Sequence, residues 1–511
     1  MVRDVRNHER IGVRAVALGV TVAGCALLAI MMHRNGHTQG DDFALYLRQA
    51  QGILGWNVGE VVNDNRFAFE MSDGNFSPLA YPWGWPMVLA PFVFVWDLDY
   101  DRLKLVQVAA FCFWLVLMHG IVRRRIGWVY AIAVIAVLGT SPILLGHTDQ
   151  LLSEFPHLAA VALVIWWYDW MRRRSDLLDA SLLHLAVAGV LVMVAYNMRR
   201  EGIVLLGVIG AMQLVDAARS NERWTDLRGS VSALLRHWRQ VLTPYGAFSG
   251  SVVIVQLLLP NDLFPDNGNS AGFLDDRFRE YPANLSEQLG LGERPWVGLI
   301  VLALALVGAV IGVRKRPTLD LPILLLPILT AFAIGTHFRE VKRYWYQVTP
   351  WVLFFAMVAI AAIAAVAFKR RAALAVAAAL VPALLLLVGH GLVLRGDISD
   401  VRDFNNADRV QWGPANPAVA AVFDAVDEYT DDDDVVAYYR ARTMTLVTDR
   451  RSFQSGRLDH IAENADYFAQ RRNSTYWQPE LDPVLAEHLG FEEVWSDSAW
   501  VLWRTPRAGG A

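Results

Sequence analysis

Long apolar segments are the feature that most constrains what this chain can fold into. Residues 11–32, 299–313 and 352–368, for example, contain no acidic side chain and almost no basic one. Each is close to the roughly 20 apolar residues that a helix needs to cross the hydrocarbon core of a bilayer. The mean hydropathy of +0.31 is also higher than that of an ordinary soluble protein. The sequence therefore predicts a polytopic protein embedded in a lipid bilayer.

The apolar segments also indicate how the chain is threaded. In order, they are residues 11–32, 81–96, 103–122, 127–146, 156–171, 177–196, 201–218, 242–260, 295–313, 319–336, 349–368 and 372–394. Basic clusters lie between many of them, at residues 123–125, 172–174, 219–239, 314–316 and 369–371. Segment 81–96 is short and contains three prolines, so we expect it to be re-entrant or interfacial. All the basic clusters then face the cytoplasm, as the positive-inside rule requires, and about eleven spans remain.

This topology leaves the N-terminus in the cytoplasm and divides the chain into two domains. Residues 1–395 form the membrane domain, whose first external loop is long and covers residues 33–102. Residues 396–511 are polar and lie on the outer side. Their patterns predict strands at residues 433–439, 445–450 and 494–504 and helices at residues 417–429 and 483–489. The expected fold class is a polytopic all-α membrane domain with interfacial helices, followed by a small extracytoplasmic α/β domain.

Composition excludes several function classes. The formal net charge is only -4, so no strongly basic surface indicates a nucleic-acid partner. The chain has two cysteines, Cys25 and Cys112, and both lie inside apolar segments. A disulfide framework and a cysteine-based zinc cluster are therefore excluded.

Two adjacent aspartates, Asp41 and Asp42, open an amphipathic pattern in the first external loop. Phe43, Tyr46 and Leu47 recur after them at helical spacing, which predicts a helix lying along the outer membrane surface. Carboxylates at the start of that helix lie at the depth of the lipid headgroups. The alternative is that one aspartate only caps the helix, because the helix dipole favours acids at that end.

A second acidic motif follows the third span. His147, Asp149 and Glu154 lie in one external turn, at the same depth as the aspartate pair. Carboxylate oxygens suit magnesium, manganese or calcium, and a histidine adds a nitrogen ligand. The turn therefore predicts a site for a divalent cation, with magnesium or manganese favoured. The alternative is an ordinary turn in which Pro156 opens the next helix.

Four arginines on the outer side depart from the charge distribution of the other loops. Arg199 and Arg200 end one span, and Arg339 and Arg343 precede another with the spacing of one helical turn. A guanidinium group at headgroup depth can bind a lipid phosphate through two hydrogen bonds. The alternative is that these side chains only extend to the interface beside the aromatic residues 344–346.

These motifs follow one another in a characteristic order. In the first external loop the aspartate pair is followed by Tyr46, and a Tyr-Pro-x-Gly-x-Pro segment begins at Tyr81. The acidic turn comes next, and an Arg-Tyr pair, Arg343-Tyr344, stands late in the chain before the polar tail. Over residues 11–360 this order resembles the GT-C superfamily of membrane glycosyltransferases. It is most similar to bacterial members related to the protein O-mannosyltransferases and the lipid A aminoarabinose transferases.

The resemblance implies an activity, a location and a set of partners. It implies an inverting glycosyltransferase of the bacterial inner membrane, whose sugar donor is carried on a polyprenyl phosphate in the outer leaflet. The acceptor is a glycan, a lipid or a protein of the cell envelope. A carboxylate takes the proton of the acceptor hydroxyl, and fixed cations stabilise the departing phosphate.

The resemblance also implies roles for individual residues. Asp41 matches the catalytic aspartate of the family, with Asp42 as the second candidate. The cations implied to bind the donor phosphate are Arg339 and Arg343 and, as weaker candidates, Arg199 and Arg200. The tyrosines implied to bind or position the acceptor are Tyr46, Tyr81 and Tyr344.

Two functions from other classes remain as alternatives. The number of spans is also typical of a lipid or solute transporter. Strong charges are nearly absent from the middle of the spans, however, where a coupled transporter usually needs ionisable groups. The second alternative is a non-catalytic scaffold for envelope assembly, whose polar tail binds partners.

Overall fold

The computed structural model describes residues 2–73, 78–220, 226–261, 271–337 and 342–507. Its membrane domain is helical, with helices α1 (Val2–Met31), α2 (Asp41–Gly55), α3 (Val58–Met71), α4 (Gly84–Trp96), α5 (Tyr100–Ile126), α6 (Trp128–Gly139), α7 (Pro142–His147), α8 (Glu154–Arg172), α9 (Leu182–Met198), α10 (Val204–Arg219), α11 (Leu227–Arg236), α12 (Trp238–Leu258), α13 (Leu274–Gln288), α14 (Pro295–Lys315), α15 (Pro317–Gly335), α16 (Thr349–Ala367) and α17 (Ala372–Asn406). Short 3-10 helices lie at Leu177–Asp179, Arg200–Ile203, Ala271–Phe273 and Lys342–Gln347.

Most of the predicted spans correspond to long apolar helices. The described part of the chain has eight helical segments that are long and apolar enough to cross a membrane, namely α1, α5, α12, α14, α15, α16, α17 and the segment Arg200–Arg219, which joins a 3-10 helix to α10. The other three predicted spans correspond to α6 and α9, which are apolar but shorter, and to α8, which carries Asp169 near its end. Helix α4 has only 13 residues and contains Pro91, in agreement with its exclusion from the spans. The predicted fold class is confirmed.

Glycines allow helices of the membrane domain to approach closely. A Cβ atom on Gly308 of α14 would lie 1.8 Å from the carbonyl oxygen of Phe355 in α16. A Cβ atom on Gly189 of α9 would lie 2.1 Å from the carbonyl oxygen of Pro244 in α12. Membrane helices gain van der Waals packing at such crossings, because lipid supplies no hydrophobic driving force between them. Close crossings of this kind hold the bundle that carries the site.

Buried ion pairs join the helices at the predicted cytoplasmic end of the bundle. We name Arg125, Asp169, Arg316 and Asp320 the inner cluster. Arg125 donates to both carboxylate oxygens of Asp169, at 2.6 and 2.9 Å, and its Nε lies 3.1 Å from Asp320. Arg316 pairs with the other oxygen of Asp320 at 2.7 Å. The side chains of Arg125 and Asp320 are fully buried, so their charges depend on the ion pairs within the inner cluster.

The C-terminal domain is built on a five-stranded mixed sheet. Its elements are α18 (Pro417–Tyr429), β1 (Val435–Ala437), α19 (Ala441–Thr448), β2 (Arg451–Phe453), α20 (Leu458–Asn464), β3 (Tyr467–Arg471), α21 (Pro483–Leu489), β4 (Glu492–Ser496) and β5 (Trp500–Arg504). The strand order is β2-β1-β3-β5-β4, with β1 parallel to β2 and β3, and β5 antiparallel to β3 and β4. Because side chains alternate along a strand, Val436 and Leu502 join one apolar core while Val435 and Val501 join the other.

One predicted strand of this domain is wrong. The predicted helices have the observed bounds of α18 and α21, and β1 lies within residues 433–439. Residues 494–504, expected as one strand, contain the end of β4 and the whole of β5. Residues 445–450 were expected as a strand, but Thr445 and Val447 belong to helix α19. Their β-branched side chains favour strands, yet α19 packs against α2, and tertiary packing overrides propensity.

The C-terminal domain lies against the first external loop. Arg48 of α2 pairs with Asp449 at the end of α19. Arg451 of β2 pairs with Asp64 of α3, with 3.2 Å between Nε and Oδ1. These contacts hold the domain over the helix that begins with the two aspartates.

Candidate functional site

Three segments that are far apart in the sequence meet at the predicted outer end of the membrane domain: the start of α2, the start of α8 and the 3-10 helix Lys342–Gln347. Arg343 links the other two segments. Its Nη2 lies 2.6 Å from Asp42 Oδ2, and its Nε lies 3.1 Å from Glu154 Oε1. We name the whole group the outer cluster, which consists of Asp41, Asp42, Glu154, Arg199, Arg343 and Arg440.

The start of α2 carries the aspartates to this point. Gly40 is the N-cap residue and has an extended backbone, so neither aspartate is the N-cap itself. Asp41 and Asp42 occupy the first turn, where the positive end of the helix dipole favours carboxylates. Their side chains are then directed to arginines from other segments. The aspartate pair therefore joins distant parts of the chain.

Asp42 has a partner on each carboxylate oxygen. Arg343 pairs with Oδ2, and the hydroxyl of Tyr81 donates to Oδ1 at 2.7 Å. Burial opposes ionisation of this carboxyl, but Arg343 and the Tyr81 hydroxyl outweigh burial, so the pKa of Asp42 lies below its ordinary value of 3.8. A carboxylate with a lowered pKa is a weak base. Asp42 is therefore better suited to hold Arg343 in place than to accept a proton.

Asp41 differs from Asp42 because only one of its carboxylate oxygens has a partner among the described residues. Its Oδ2 lies 3.1 Å from Nη1 of Arg440, whereas its buried Oδ1 has no hydrogen-bond partner among the described residues. Burial raises the pKa of Asp41 above 3.8, although Arg440 and Arg442 oppose that effect. Asp41 therefore offers an oxygen of increased basicity that nothing in the described part of the chain occupies.

Glu154 binds two arginines at once. Besides Arg343, its Oε1 lies 3.0 Å from Nη1 of Arg199, whose Nη2 lies 3.1 Å from Glu201. Nε2 of His147 lies 3.3 Å from the other oxygen of Glu154. Since one buried carboxylate holds both arginines, two guanidinium groups stand side by side at the outer end of the bundle. Such a pair of cations can bind a phosphate group.

The three predicted tyrosines line the same cluster. The hydroxyl of Tyr46 lies 3.0 Å from Ser153 Oγ, and the ring centroids of Tyr46 and Tyr81 are 4.7 Å apart. The guanidinium carbon of Arg199 lies 4.8 Å from the ring centroid of Tyr344. These rings give the polar cluster an aromatic wall.

Asp149 comes from the same turn as Glu154 but joins a different network. Its Oδ1 lies 2.8 Å from Nζ of the buried Lys104 and accepts the backbone N–H of Arg34 at 3.2 Å. Gln411 donates to its Oδ2 at 3.1 Å. Burial raises the pKa of Asp149 to about 6, although Lys104 opposes the rise. Asp149 thus ties the first loop to the segment that leads into the C-terminal domain.

Because Asp149 and Glu154 belong to different networks, the predicted metal ligands do not lie together. His147 faces Glu154, but Asp149 faces Lys104. In the described ranges, no group of three or more His, Cys, Asp and Glu side chains is arranged to hold a metal ion.

The two remaining predicted arginines have different outcomes. Nη2 of Arg200 donates to Asn261 Oδ1 at 2.7 Å, and its guanidinium carbon lies 4.8 Å from the ring centroid of Tyr196. Arg339 lies outside the described residues, so its proposed role stays a prediction.

Sequence reasoning missed Arg440, which comes from the C-terminal domain. It directly precedes α19, and Arg442 in the first turn of that helix donates to Pro78 and to Asn65 of the first loop. The available signal was a pair of arginines directly after a predicted strand. Nothing in their spacing predicts that this part of the tail docks on the start of α2.

Solved structures share this architecture although the sequences have diverged. ArnT from Cupriavidus metallidurans bound to undecaprenyl phosphate has a TM-score of 0.52 and 14% identity, over 95% of this chain and 97% of that chain. The archaeal oligosaccharyltransferase AglB from Archaeoglobus fulgidus, in complex with an inhibitory peptide and a dolichol-phosphate, has a TM-score of 0.54 and 10% identity, over 89% of this chain and 69% of that chain. A complex of the Archaeoglobus fulgidus enzyme with Zn and sulfate has a TM-score of 0.54 and 11% identity, over 95% and 73%.

Sequence comparison alone does not find these relationships. No protein-family model matches the chain, and no curated protein matches it. The structural neighbours are GT-C membrane glycosyltransferases, so the resemblance inferred from the ordered motifs is confirmed at the level of the fold. Fold alone does not determine the reaction, which has to be argued from the outer cluster.

Proposed function

We propose that the protein is an inverting glycosyltransferase that transfers a sugar from a polyprenyl-phosphate donor to an acceptor on the outer face of the bacterial inner membrane. The observation that carries the proposal is the outer cluster, in which Arg343 joins the first-loop aspartates to Glu154. Solved neighbours that hold undecaprenyl phosphate and dolichol-phosphate support a lipid phosphate as the donor. The acceptor is a glycan, a lipid or a protein of the envelope.

Asp41 is the general base of the proposed reaction. Its Oδ1 accepts the proton of the acceptor hydroxyl while that oxygen attacks the anomeric carbon of the donor sugar. The bond from that carbon to the donor phosphate oxygen breaks on the opposite face, so the configuration is inverted. The proton ends on Asp41 and the bonding electron pair on the polyprenyl phosphate. General-base catalysis of this kind typically contributes about 10²–10⁴-fold to the rate.

Arg343 and Arg199 are the proposed phosphate ligands. The departing polyprenyl phosphate gains negative charge in the transition state, and fixed guanidinium groups stabilise that charge without reorganising. Asp42 and Glu154 hold Arg343 in place beforehand, and Glu154 also holds Arg199. Arg339 and Arg200 belong to the same proposal as additional cations on the outer side.

The three tyrosines are proposed to position the substrates. Tyr81 donates to Asp42 and so fixes the carboxylate that orients Arg343. Tyr46, which packs against Tyr81, and Tyr344, which packs against Arg199, add aromatic faces to the arginine and carboxylate groups. Sugar rings pack well on such faces, because their C–H groups contact the π electrons while their hydroxyls reach the polar cluster.

A divalent cation, magnesium or manganese, is the cofactor that the acidic turn suggests. The surroundings of Glu154 fit such an ion poorly. Arg199 and Arg343 already neutralise this carboxylate, and both would repel a metal cation. No step of the proposed reaction passes through a metal. Chelation of the purified enzyme, followed by return of magnesium or manganese, would reveal a requirement if transfer were lost and then restored.

The proposal is tested by mass spectrometry of envelope lipids and glycans from cells that lack the protein. Wild type, Asp41→Asn and Asp64→Asn would be returned to these cells. Asp64 is the matched control because it lies in the same loop but pairs with Arg451 outside the outer cluster. We expect a polyprenyl-phosphate sugar to accumulate without the protein, and to be cleared by wild type and Asp64→Asn only. Unchanged lipids and glycans would favour the transporter or the scaffold.

A further inference from the structure

The C-terminal domain supplies a guanidinium group to the outer cluster. Nη1 of Arg440 lies 3.1 Å from Asp41 Oδ2, and Nη2 donates to the hydroxyl of Tyr476 at 3.0 Å. The guanidinium carbon also lies 5.1 Å from the centroid of the Tyr476 ring. Tyr476 thus fixes the Arg440 side chain within the C-terminal domain, and the guanidinium group is directed to Asp41, the first residue of α2.

Other contacts hold the domain at this position independently of Arg440. The backbone N–H of Gln39 donates to the carbonyl of Trp412 at 2.8 Å, and its side chain donates to the Tyr438 hydroxyl at 3.2 Å. Arg451 pairs with Asp64 further along the same interface. The domain therefore has enough contacts to dock without the pair between Arg440 and Asp41, which leaves that pair free for another role.

The geometry of the pair determines which oxygen of Asp41 is available. Arg440 holds Oδ2, and within the described residues no group donates to the buried Oδ1. Hydrogen bonds and opposite charges fix the orientation of a carboxylate as well as its ionisation. An acceptor hydroxyl that approaches Asp41 therefore meets Oδ1 in a constant orientation.

We propose that Arg440 is a positioning residue for Asp41, so that the soluble C-terminal domain completes the catalytic site of the membrane domain. This inference rests on the proposed function, in which Asp41 is the base. Arg440 itself contacts neither the donor nor the transferred proton. It acts by orienting the carboxylate and by favouring its ionised form.

The charges around Asp41 give the sign of the effect. Arg440 and Arg442 face it from the C-terminal domain, together with the phenol of Tyr438, while Asp42 is its neighbour on α2. Burial raises the pKa of Asp41, and the two arginines act against that rise. Replacing Arg440 by a neutral side chain therefore raises the pKa further, and the base becomes protonated at a higher pH than in wild type.

The test compares Arg440→Gln, Arg440→Lys and Arg451→Gln in the full-length purified protein. Arg451→Gln is the matched control, since it removes an ion pair of the same interface that does not involve Asp41. Polyprenyl-phosphate lipids from cells lacking the protein serve as donor, and envelope material from the same cells serves as acceptor. Release of polyprenyl phosphate is measured as a function of pH. Infrared difference spectra against Asp41→Asn report the pKa of Asp41 without any turnover.

The inference predicts an upward shift of the acidic limb by about one pH unit or more in Arg440→Gln, since a close opposite charge typically lowers a carboxyl pKa by 1–3. We expect kcat near neutral pH to fall roughly 10–100-fold, because a hydrogen bond to a charged group is lost. Arg440→Lys should bring the acidic limb most of the way back to its wild-type pH, because lysine restores the positive charge. Arg451→Gln should leave the pH of the limb unchanged.

Two different failures can be told apart. If Asp41→Asn abolishes transfer but Arg440→Gln keeps the wild-type limb and the wild-type infrared pKa, the role of Arg440 is wrong and the proposed function stands. If Asp41→Asn transfers sugar at the wild-type rate, Asp41 is not the base, and if the wild-type protein itself releases no polyprenyl phosphate, the proposed function is wrong. The infrared titration decides the effect of Arg440 on the Asp41 carboxyl in both cases.

Discussion

The two ends of the membrane domain both carry clusters of arginines and carboxylates, and the clusters differ in how completely they are satisfied. In the inner cluster Arg125 binds Asp169 and Asp320 and also donates to the carbonyls of Ile121 and Leu319. Arg125 and Asp320 have fully buried side chains. In the outer cluster, 33% of the Asp42 side chain and 23% of the Arg343 side chain are exposed.

This difference separates a structural cluster from one arranged for chemistry. Buried charges are tolerated when each has its partners, and a closed network mainly fixes how the helices meet. The outer cluster instead leaves Asp41 Oδ1 without a partner in the described structure and keeps its arginines within reach of solvent. Water or a ligand can complete such an accessible network. We therefore expect substitutions at the two ends to affect different properties.

The largest effect is expected for Asp41→Asn. The amide keeps the size of the side chain but cannot accept a proton, so kcat should fall by about 10²–10⁴-fold. The midpoint of thermal unfolding should stay near the wild-type value, because Oδ1 makes no hydrogen bond to the described residues and the amide oxygen of Asn can still accept from Arg440. Transfer kinetics and thermal unfolding of the same preparation check both statements. A variant that is fully active would remove Asp41 from the mechanism.

Asp320→Asn should have the opposite profile. It removes the carboxylate that Arg125 and Arg316 share, while Arg125 keeps Asp169, and the loss of a buried hydrogen-bond partner typically costs about 1–3 kcal/mol of stability. We expect a lower unfolding temperature and a lower yield, with kcat per folded molecule unchanged. A normal unfolding temperature combined with a reduced kcat would contradict the structural role of the inner cluster.

Arg343→Gln should reduce transfer by about 10²–10³-fold, the usual result of removing one group that stabilises charge in the transition state. Unlike Asp41→Asn, it also removes a partner from Asp42 and Glu154, so some loss of stability accompanies the loss of rate. Arg451→Gln is the matched comparison, because Arg451 pairs with Asp64 outside the outer cluster. Equal rate losses in the two variants would argue against a distinct role for Arg343.

The pH dependence should identify which aspartate is the base. A base works only when ionised, so activity falls as the pH drops through its pKa. Burial raises the pKa of Asp41 above the ordinary aspartate value of 3.8, whereas Arg343 and the Tyr81 hydroxyl outweigh burial and hold the pKa of Asp42 below it. The acidic limb of kcat should therefore lie above pH 3.8, and Asp42→Asn should leave a limb in that range. A limb that disappears only in Asp42→Asn would reverse the assignment.

The smallest effect on the reaction is expected for Asp149→Asn. This change weakens the network around buried Lys104 and should cost about 1–3 kcal/mol of stability, as for other buried charged partners. Transfer should keep the wild-type kcat, because Asp149 lies outside the outer cluster. A large loss of kcat with a normal unfolding temperature would return Asp149 to the site.

The comparison of Asp149 with Glu154 also illustrates what a sequence can predict. Span spacing and charge placement were enough to bring Asp42, Glu154 and Arg343 to one depth, and the structure joins them. Equal depth does not determine partners, however. Lys104 sits at the start of an apolar segment, and nothing in the pattern identified it as the partner of Asp149.

For a related reason, the sequence did not predict that Arg440 belongs to the site. Its position depends on how α19 docks against α2, and such contacts between distant segments leave no periodic signal. The residues after Arg442 also read as a strand by propensity, whereas packing makes them a helix. The fold class follows from local patterns, but the full membership of the site follows only from tertiary contacts.

The most direct test of the account is to measure kcat and the unfolding temperature of Asp41→Asn and Asp320→Asn side by side with wild type. We expect Asp41→Asn to lose transfer and to keep its unfolding temperature. We expect Asp320→Asn to keep transfer per folded molecule and to unfold at a lower temperature. If both variants lose stability in parallel and keep their transfer rate, the outer cluster is a second structural network and the proposed chemistry at Asp41 is wrong.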